Sequence, residues 1–138
     1  MIVLDASALV ELLLSTAAGR TVAVRIADPG LSVHVPHLAD IEVTQALRRY
    51  AHDGDLDAAD AATALEDLRA LDLERHAHEP LLDRVWALRN NMSAYDAVYV
   101  ALAEALDAVL LTCDGRLARA PGAARRVELV TPRPSARR

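Results

Sequence analysis

The sequence predicts an α/β fold in which helices cover both faces of a parallel sheet. Short apolar runs alternate along the chain with longer stretches of helical periodicity, and strands joined by helices pair in parallel through right-handed crossovers. The runs at residues 2–4 and 109–111 are apolar without alternation, as in strands that are buried on both faces. The 138 residues therefore fit one domain of three layers.

Turn residues divide the first part of the chain into two strands and two helices. The apolar run at residues 2–4 is the first strand, and a helix over residues 6–14 follows it at once. A second helix, over residues 17–27, stops at the Asp28-Pro29-Gly30 turn. Alternating β-branched residues then predict a strand over residues 31–35.

The middle of the chain is mainly helical. We predict helices over residues 37–52 and 57–70, which a glycine-containing turn separates. A short strand over residues 71–75 follows. The next helix covers residues 80–89 and has a proline in its first turn, where proline is tolerated.

The last part of the chain completes the sheet. A helix over residues 93–106 is apolar on nearly all sides, which indicates that it is buried. Strands over residues 108–112 and 127–130 flank a short helix over residues 116–119. The domain is expected to cover residues 1–130, followed by a flexible basic tail at 131–138 that is rich in Pro, Arg and Ser.

The composition excludes several classes of phosphate-binding enzyme. All 15 basic side chains are arginine, and the chain has no lysine. P-loop NTPases, receiver domains and haloacid-dehalogenase phosphatases each use a lysine near the phosphate, so none can be assembled here in its usual form. Of the net charge of −5, residues 115–138 contribute +6, so residues 1–114 carry −11. This acidic body suits neither a nucleic-acid coat nor a membrane-surface helix.

Cysteine usage and the apolar segments indicate a cytoplasmic protein without a membrane anchor. Cys113 is the single cysteine and cannot form an intramolecular disulfide, as expected in a reducing compartment. Asp5 interrupts the N-terminus before a signal-peptide core forms. The most apolar long stretch, residues 97–111, contains Glu104 and Asp107 and falls short of the roughly 20 residues that a membrane span needs.

Four acidic residues are expected at the sheet edge where the strands end. They are Asp5 after the first strand, Glu42 in the helix after the second, Asp96 in the first turn of the 93–106 helix, and Asp114 after the fourth strand. Ligands of open parallel sheets bind beyond the carboxyl ends of the strands. These carboxylates are therefore candidate site residues.

Each acid also has a purely structural interpretation. Asp5 and Asp114 could cap the helices that follow them. Asp96 stands three residues after Ser93, which is the spacing of a capping box. Glu42 lies on the flank of an apolar stripe and could face either a cleft or the solvent.

Taken together, the four acids point to a bound cation. Two like charges about 5 Å apart repel by roughly 3 kcal/mol at an effective dielectric of about 20, and no lysine can neutralise them. Carboxylate oxygens are the ligands that Mg²⁺ or Mn²⁺ prefers. The sequence therefore favours metal-assisted hydrolysis of a phosphodiester, in which the metal orients and deprotonates water.

Four segments, in order, resemble the motifs of PIN-domain ribonucleases, and their spacing resembles that of the VapC toxins of VapBC toxin–antitoxin pairs. The segments are Asp5-Ala6-Ser7-Ala8-Leu9-Val10, residues 36–48 around Ile41-Glu42-Val43, Ser93-Ala94-Tyr95-Asp96-Ala97, and Leu111-Thr112-Cys113-Asp114 with Leu117. The resemblance extends to about residue 130. No single motif is specific, but all four in this order in so short a chain are.

The resemblance implies a three-layer α/β/α sandwich around a five-stranded parallel sheet, and an Mg²⁺-dependent endoribonuclease in which Mn²⁺ substitutes. It assigns metal binding and catalysis to Asp5, Glu42, Asp96 and Asp114, of which Asp5 and Asp96 are the first metal ligands. Ser7 and Thr112 match hydroxyls that orient these acids or a metal-bound water. It also implies a homodimer and a VapB-type antitoxin that blocks the site in a heterotetramer or larger complex.

The chain departs from this pattern after the fourth motif. Many relatives carry a further acid there, whereas this sequence has Gly115 and Arg116. We therefore expect one tightly held metal ion, and any second ion to arrive with the substrate.

Arginines are the expected RNA contacts, because the aromatic residues are too scattered for a base-stacking platform. The candidates are Arg48, Arg49, Arg116, Arg119, Arg125 and Arg126. Arg48 and Arg49 could equally form a solvated face or the docking site of the antitoxin. The five histidines have no zinc-like spacing with Cys113 and are expected at the surface or in loops.

The leading functional hypothesis is a toxin that cuts specific structured RNA, such as tRNA or rRNA, and arrests growth when its antitoxin is lost. The rival is a catalytically silent PIN-type module that binds protein, and the presence of all four acids argues against it. A metal-dependent phosphatase or phospho-acceptor is disfavoured by the missing lysine and by the lack of a second acid in Asp5-Ala6-Ser7.

Overall fold

A five-stranded sheet, parallel throughout, forms the centre of the molecule. The computed structural model describes residues 1–123 and 126–132. The strands are β1 (Ile2–Leu4), β2 (Val33–Pro36), β3 (Leu73–His76), β4 (Val109–Thr112) and β5 (Val127–Leu129). They lie side by side in the order β3-β2-β1-β4-β5. The predicted α/β fold class is confirmed.

Helices cover both faces of the sheet, as right-handed crossovers require. The helices of the described residues are α1 (Ala6–Leu13), α2 (Ala17–Arg25), α3 (Leu38–His52), α4 (Ala58–Ala70), α5 (Leu82–Ala87), α6 (Ala94–Ala105) and α7 (Gly115–Ala118). Helices α1 to α4 lie on one face, where α1 contacts α2, α3 and α4. Helices α5 to α7 lie on the other face, where α6 packs across β1, β2 and β4.

The order of the strands places the ends of β1 and β4 together. From β1 the chain adds β2 and β3 on one side of the sheet, and it then crosses back to add β4 and β5 on the other side. The change of direction between β1 and β4 opens a crevice at the carboxyl ends of these strands, which is where parallel sheets bind ligands. Asp5 and Asp114 come directly after this part of the sheet.

The core is built from the central strands and the helices that cover them. All three residues of β1 are buried, and residues 97–103 of α6 are buried without a break. Because an apolar helix with no polar face belongs inside the protein, this burial agrees with the sequence. Helices α1 and α2 approach closely at Gly19, where an added Cβ would lie 1.8 Å from the carbonyl oxygen of Glu11.

Several boundaries differ from the predicted ones, mainly where turns overlap with the ends of elements. Strand β2 begins at Val33 rather than residue 31, because the amide of Leu31 bonds to Asp28 within the preceding turn. Strand β3 begins at Leu73 rather than residue 71, because the amide of Leu71 still closes the last turn of α4.

The predicted helix over residues 80–89 and the last strand are shorter than expected. A 3-10 turn at Glu79–Leu81 precedes α5, which ends at Ala87. Strand β5 ends at Leu129, one residue early. The domain limit at residue 130 and the flexible tail at 131–138 remain predictions, and residues 133–138 of that tail lie outside the described residues.

In the described part of the chain, no single helix is long and apolar enough to cross a membrane. Helices α1 and α2 meet the criteria of length and composition only as a pair, and a bend of 106° separates them.

Candidate active site

Asp5 lies where β1 ends and α1 begins, and only 5% of its surface is exposed. Its Oδ1 accepts hydrogen bonds from the Ser7 hydroxyl at 2.6 Å and from the Ala8 amide at 2.9 Å. Its Oδ2 accepts a hydrogen bond from the Thr112 hydroxyl at 2.5 Å. Asp5 is therefore the N-cap of α1 and also an acid at the sheet edge, so the structural and functional interpretations of it are compatible.

The electrostatic environment of Asp5 opposes its negative charge. Burial raises the pKa of Asp5, and this effect exceeds the lowering by the hydrogen bonds from Ser7, Thr112 and Ala8. The negative charge of Asp114 raises the pKa of Asp5 further. A cation placed between these carboxylates would favour the ionised form.

Two hydroxyl groups join the end of β1 to the end of β4. Thr112 is fully buried, and its hydroxyl accepts a hydrogen bond from the Asp114 amide at 2.9 Å. The Ser7 hydroxyl accepts one from the Cys113 amide at 2.9 Å and lies 3.3 Å from that of Thr112. Each hydroxyl also donates to Asp5. The network fixes the position of one carboxylate relative to the segment that carries another.

Asp96 and Asp114 share one cationic partner, Arg116. Its Nη2 lies 3.0 Å from Asp96 Oδ2 and 3.2 Å from Asp114 Oδ2. Ser93 caps α6 by accepting the Asp96 amide at 3.2 Å, while the Asp96 carboxylate points to the arginine. Asp114 also caps α7 through the Arg116 amide. The guanidinium therefore occupies the position of a cation that bridges two acids of the site.

Glu42 faces the cleft rather than the solvent. The hydroxyl of Tyr99, on α6, donates to Glu42 Oε1 at 2.6 Å and joins α3 to the opposite layer. Burial raises the pKa of Glu42, the Tyr99 hydrogen bond lowers it, and the charges of Asp96 and Asp5 raise it. Sequence reasoning missed Tyr99. The available signal was a tyrosine inside an apolar helix, because a buried hydroxyl requires a partner.

Each of the four predicted acids takes part in at least one electrostatic pair at this end of the sheet: the charge of Asp114 raises the pKa of Asp5, and the charges of Asp96 and Asp5 raise the pKa of Glu42. Among the described residues, no cationic side chain lies within 4.0 Å of Asp5 or Glu42, and only Arg116 reaches Asp96 and Asp114. The donors are oxygen atoms alone, which is the set that fits Mg²⁺ or Mn²⁺. The arrangement suits a hard divalent cation.

A groove of about 590 Å³ borders Glu42 and Asp114 and lies between α1 and α3. Its walls combine apolar side chains with two of the four acids; among the lining residues are Val10, Ile41, Glu42, Ala46, Arg49, Tyr50, Tyr95 and Asp114. Ile41 and Tyr95 are 68% and 63% exposed. An exposed apolar surface beside a charged cluster is typical of a site that receives another molecule.

The predicted RNA-contacting arginines lie in different surroundings. Arg48 and Arg49 are exposed on α3, and only Arg49 lines the groove. Arg119 is exposed and lines a small depression together with Asp96 and Arg116. Two further candidates complete the set: Arg126 pairs with Asp107 at 2.7 Å, and Arg125 lies outside the described residues.

The expectation that the histidines lie at the surface or in loops is wrong for His34. It lies in β2 and is 3% exposed, because its strand is covered by neighbours on both sides. His34, Glu74 and His76 bring one potential metal-ligand atom each to within 4.8 Å of the others. The sequence gives no spacing signal for this group, since its members meet only through the register of β2 and β3.

Comparison with known proteins identifies the family. The PIN domain model matches residues 2–123. Ribonuclease VapC9 of Mycobacterium tuberculosis is 48% identical over 117 residues, which cover 85% of this chain and 88% of that protein. The chain belongs to the VapC family of PIN-domain proteins. The resemblance found in the sequence is confirmed.

Two solved structures share the fold of this VapC-family chain. PAE2754 from Pyrobaculum aerophilum superimposes with a TM-score of 0.68 at 22% identity and covers 94% of this chain and 88% of that one. A toxin–antitoxin complex from Klebsiella pneumoniae superimposes with a TM-score of 0.64 at 15% identity, and the match covers 95% of this chain and 98% of that one. PIN-domain nucleases generally depend on divalent metals, and the site of this VapC-family member has the donors for one.

Proposed function

We propose that this VapC-family protein is an Mg²⁺-dependent endoribonuclease toxin that cuts specific structured RNA, such as tRNA or rRNA. The observation that carries the proposal is the electrostatic coupling of carboxylates at the crevice between β1 and β4, where Asp5 is buried and no cationic side chain of the described residues pairs with it. Relatives that are 48% and 43% identical are named ribonucleases, which supports RNA as the substrate.

In this proposal Asp5 and Asp96 are the first metal ligands, and Glu42 and Asp114 complete the oxygen donors. Bound Mg²⁺ would stabilise charge on the phosphate and acidify the attacking water. The hydroxyls of Ser7 and Thr112 hold Asp5, while Tyr99 holds Glu42. These contacts keep the carboxylates in place when RNA binds.

We propose a single tightly held ion in the free protein. Gly115 and Arg116 follow Asp114, so no further acid is there, and the Arg116 guanidinium already pairs with Asp96 and Asp114. Isothermal titration with Mn²⁺ is expected to give one tight site per chain. Two tight sites would contradict this part of the proposal.

The proposed partner is a VapB-type antitoxin that occupies the groove and blocks the acids. A fold relative is a toxin–antitoxin complex, and the groove offers exposed apolar side chains beside the carboxylates. An arginine of the antitoxin would replace Arg116 on Asp96 and Asp114. Arg48, Arg49, Arg116 and Arg119 are the proposed RNA contacts. We further propose that the protein alone is a homodimer and that it forms a heterotetramer or a larger assembly with the antitoxin. We propose that it acts in the cytoplasm.

The test is cleavage of a panel of structured cellular RNAs by antitoxin-free protein in Mg²⁺, in Mn²⁺ and in EDTA. Asp5→Asn and Asp96→Asn preserve the shape of each side chain and remove its charge. Asp67→Asn, at an exposed position on α4, is the matched control. Each variant is first checked for folding by circular dichroism.

Discrete cuts that require metal, vanish in both site variants and persist in Asp67→Asn would support the proposal and identify the target. Cuts that survive Asp5→Asn and Asp96→Asn would contradict the assignment of the site. Folded protein that binds antitoxin but cuts no RNA in either metal would favour the binding module instead.

A further inference from the structure

Three potential metal ligands meet on one face of the sheet at β2 and β3, away from the carboxylate site. His34 and Glu74 are partners in the parallel register of these strands, and His76 projects from the same face two residues after Glu74. We propose that His34, Glu74 and His76 form a second metal site, which binds Zn²⁺ and clamps the edge strand β3 to β2.

The two distances from His34 to the other ligand atoms are close to those around a tetrahedral ion, and all three ligand atoms lie within 4.8 Å of one another. His34 Nδ1 lies 2.9 Å from His76 Nε2 and 3.4 Å from Glu74 Oε2. Ligand atoms around zinc, with bonds of about 2.0–2.1 Å, are roughly 3.3 Å apart. The histidine–glutamate distance already has this value, and the two imidazoles need to separate by only about 0.4 Å to reach it.

A hydrogen bond at its other ring nitrogen orients His34, the buried ligand of the site. His34 is 3% exposed, and the Ser32 hydroxyl lies 2.8 Å from its Nε2. When Nε2 carries the ring proton and donates it to Ser32, Nδ1 presents its lone pair to the site. Histidines that bind metals generally have a partner of this kind on the other ring nitrogen, because it fixes the tautomer and the orientation of the ring.

An ion can enter the site without any opening of the core. The side chain of Glu74 is 64% exposed, so one ligand already contacts solvent. Arg75 projects from the opposite face of β3 and pairs with Asp40 at 2.8 Å. Within the described ranges, no guanidinium lies within 4.0 Å of Glu74, so no arginine competes with the ion.

The donor atoms of this site favour a different metal from those of the carboxylate site. Two imidazoles and one carboxylate suit Zn²⁺, whereas Mg²⁺ prefers oxygen donors alone. Three protein ligands leave a fourth position for water. Because the ligands come from two neighbouring strands, one of them at the edge of the sheet, bound Zn²⁺ would stabilise their pairing and raise the melting temperature.

The test uses untagged, EDTA-treated and dialysed protein, titrated with Zn²⁺ in a calorimeter in the presence of excess Mg²⁺. We expect one Zn²⁺ per chain and a rise in melting temperature. Co²⁺ should give the visible absorption of tetrahedral coordination. Glu74→Gln and His76→Gln lie at accessible positions and should weaken Zn²⁺ binding at least about tenfold. His52→Gln, whose side chain is 80% exposed on α3, is the matched control and should bind as the parent does.

The Asp5→Asn, Asp96→Asn double variant distinguishes the two metal sites. Zn²⁺ binding should persist in it, because neither residue contacts the proposed ligands, and this result is independent of whether the protein cuts RNA. Loss of Zn²⁺ binding in this variant would mean that the ion occupies the carboxylates and would overturn the proposal. So would unchanged affinity in folded His76→Gln, or the absence of Zn²⁺ binding to the parent protein.

Discussion

Replacing Thr112 by valine tests whether the hydroxyl network at the end of β4 holds Asp5 in place. Valine nearly preserves the shape of threonine and removes one hydroxyl from a fully buried side chain. Two hydrogen bonds are lost. One, of 2.5 Å, is donated to Asp5 Oδ2, and the other, of 2.9 Å, is accepted from the Asp114 amide.

The expected loss of stability is about 3 kcal/mol. A hydrogen bond to a charged group contributes about 1.5–3 kcal/mol, and an amide left without a partner costs about 1 kcal/mol more. Thr112→Ser is the control, because it keeps the hydroxyl and loses one buried methyl group. That loss costs about 1 kcal/mol. The valine variant should therefore be the less stable of the two by about 2 kcal/mol.

The assay is urea unfolding in EDTA, followed by far-ultraviolet circular dichroism. Trp86, the single tryptophan, is 68% exposed, so its fluorescence is a poor probe of unfolding. With a denaturant dependence of about 2 kcal/mol per molar urea, the midpoint falls by about 1.5 M for valine and about 0.5 M for serine. In an Asp5→Asn background the cost of Thr112→Val should shrink by at least about 1 kcal/mol. A valine variant as stable as the serine variant would refute the reasoning.

Three further substitutions test packing, the Glu42 contact and the arginine of the site. Gly19→Ala should lower the free energy of unfolding by more than about 2 kcal/mol, because its Cβ would meet a backbone carbonyl of α1. The control Gly30→Ala, in an exposed turn, should change the free energy of unfolding by no more than about 0.5 kcal/mol. Similar melting temperatures for the two variants would argue against the close helix contact. Tyr99→Phe removes the 2.6 Å hydrogen bond to Glu42 and should lower the free energy of unfolding by about 1–2 kcal/mol. An unchanged free energy of unfolding in a urea titration would show that this hydrogen bond does not stabilise the fold. Arg116→Gln should tighten Mn²⁺ binding several-fold in calorimetry, because the variant lacks the guanidinium that the ion must displace from the acids. Weaker Mn²⁺ binding would mean that Arg116 instead holds the acids in position.

The sequence predicts the centre of this fold better than its edges. Strand β1 and residues 97–103 of helix α6 are buried, so their apolar composition alone identifies them. Strand β3 lies at the edge of the sheet, where its Leu-Glu-Arg-His residues are partly exposed and show no alternation. Its boundary therefore depends on where α4 ends, which the sequence does not define.

Asp5, Asp96 and Asp114 could be proposed from the sequence because they follow strands or begin helices, and both positions can be read along the chain. Tyr99 and the His34–Glu74–His76 group could not, because their contacts cross between elements. The Tyr99 hydroxyl meets Glu42 only when α3 and α6 are placed on opposite faces of the sheet. The histidines meet only in the register that pairs His34 with Glu74.

The absence of lysine limits how this protein can neutralise the carboxylates of the site. Arginine is the one permanently charged cationic side chain in this sequence, and its planar guanidinium has a geometry that matches carboxylates. Arg116 accordingly pairs with Asp96 and Asp114 at the mouth of the crevice. Asp5 and Glu42 lie deeper, and burial raises the pKa of both carboxyls because no cationic side chain of the described residues reaches them. A small divalent ion in the crevice would supply the positive charge that these two inner carboxylates do not receive from the described part of the protein.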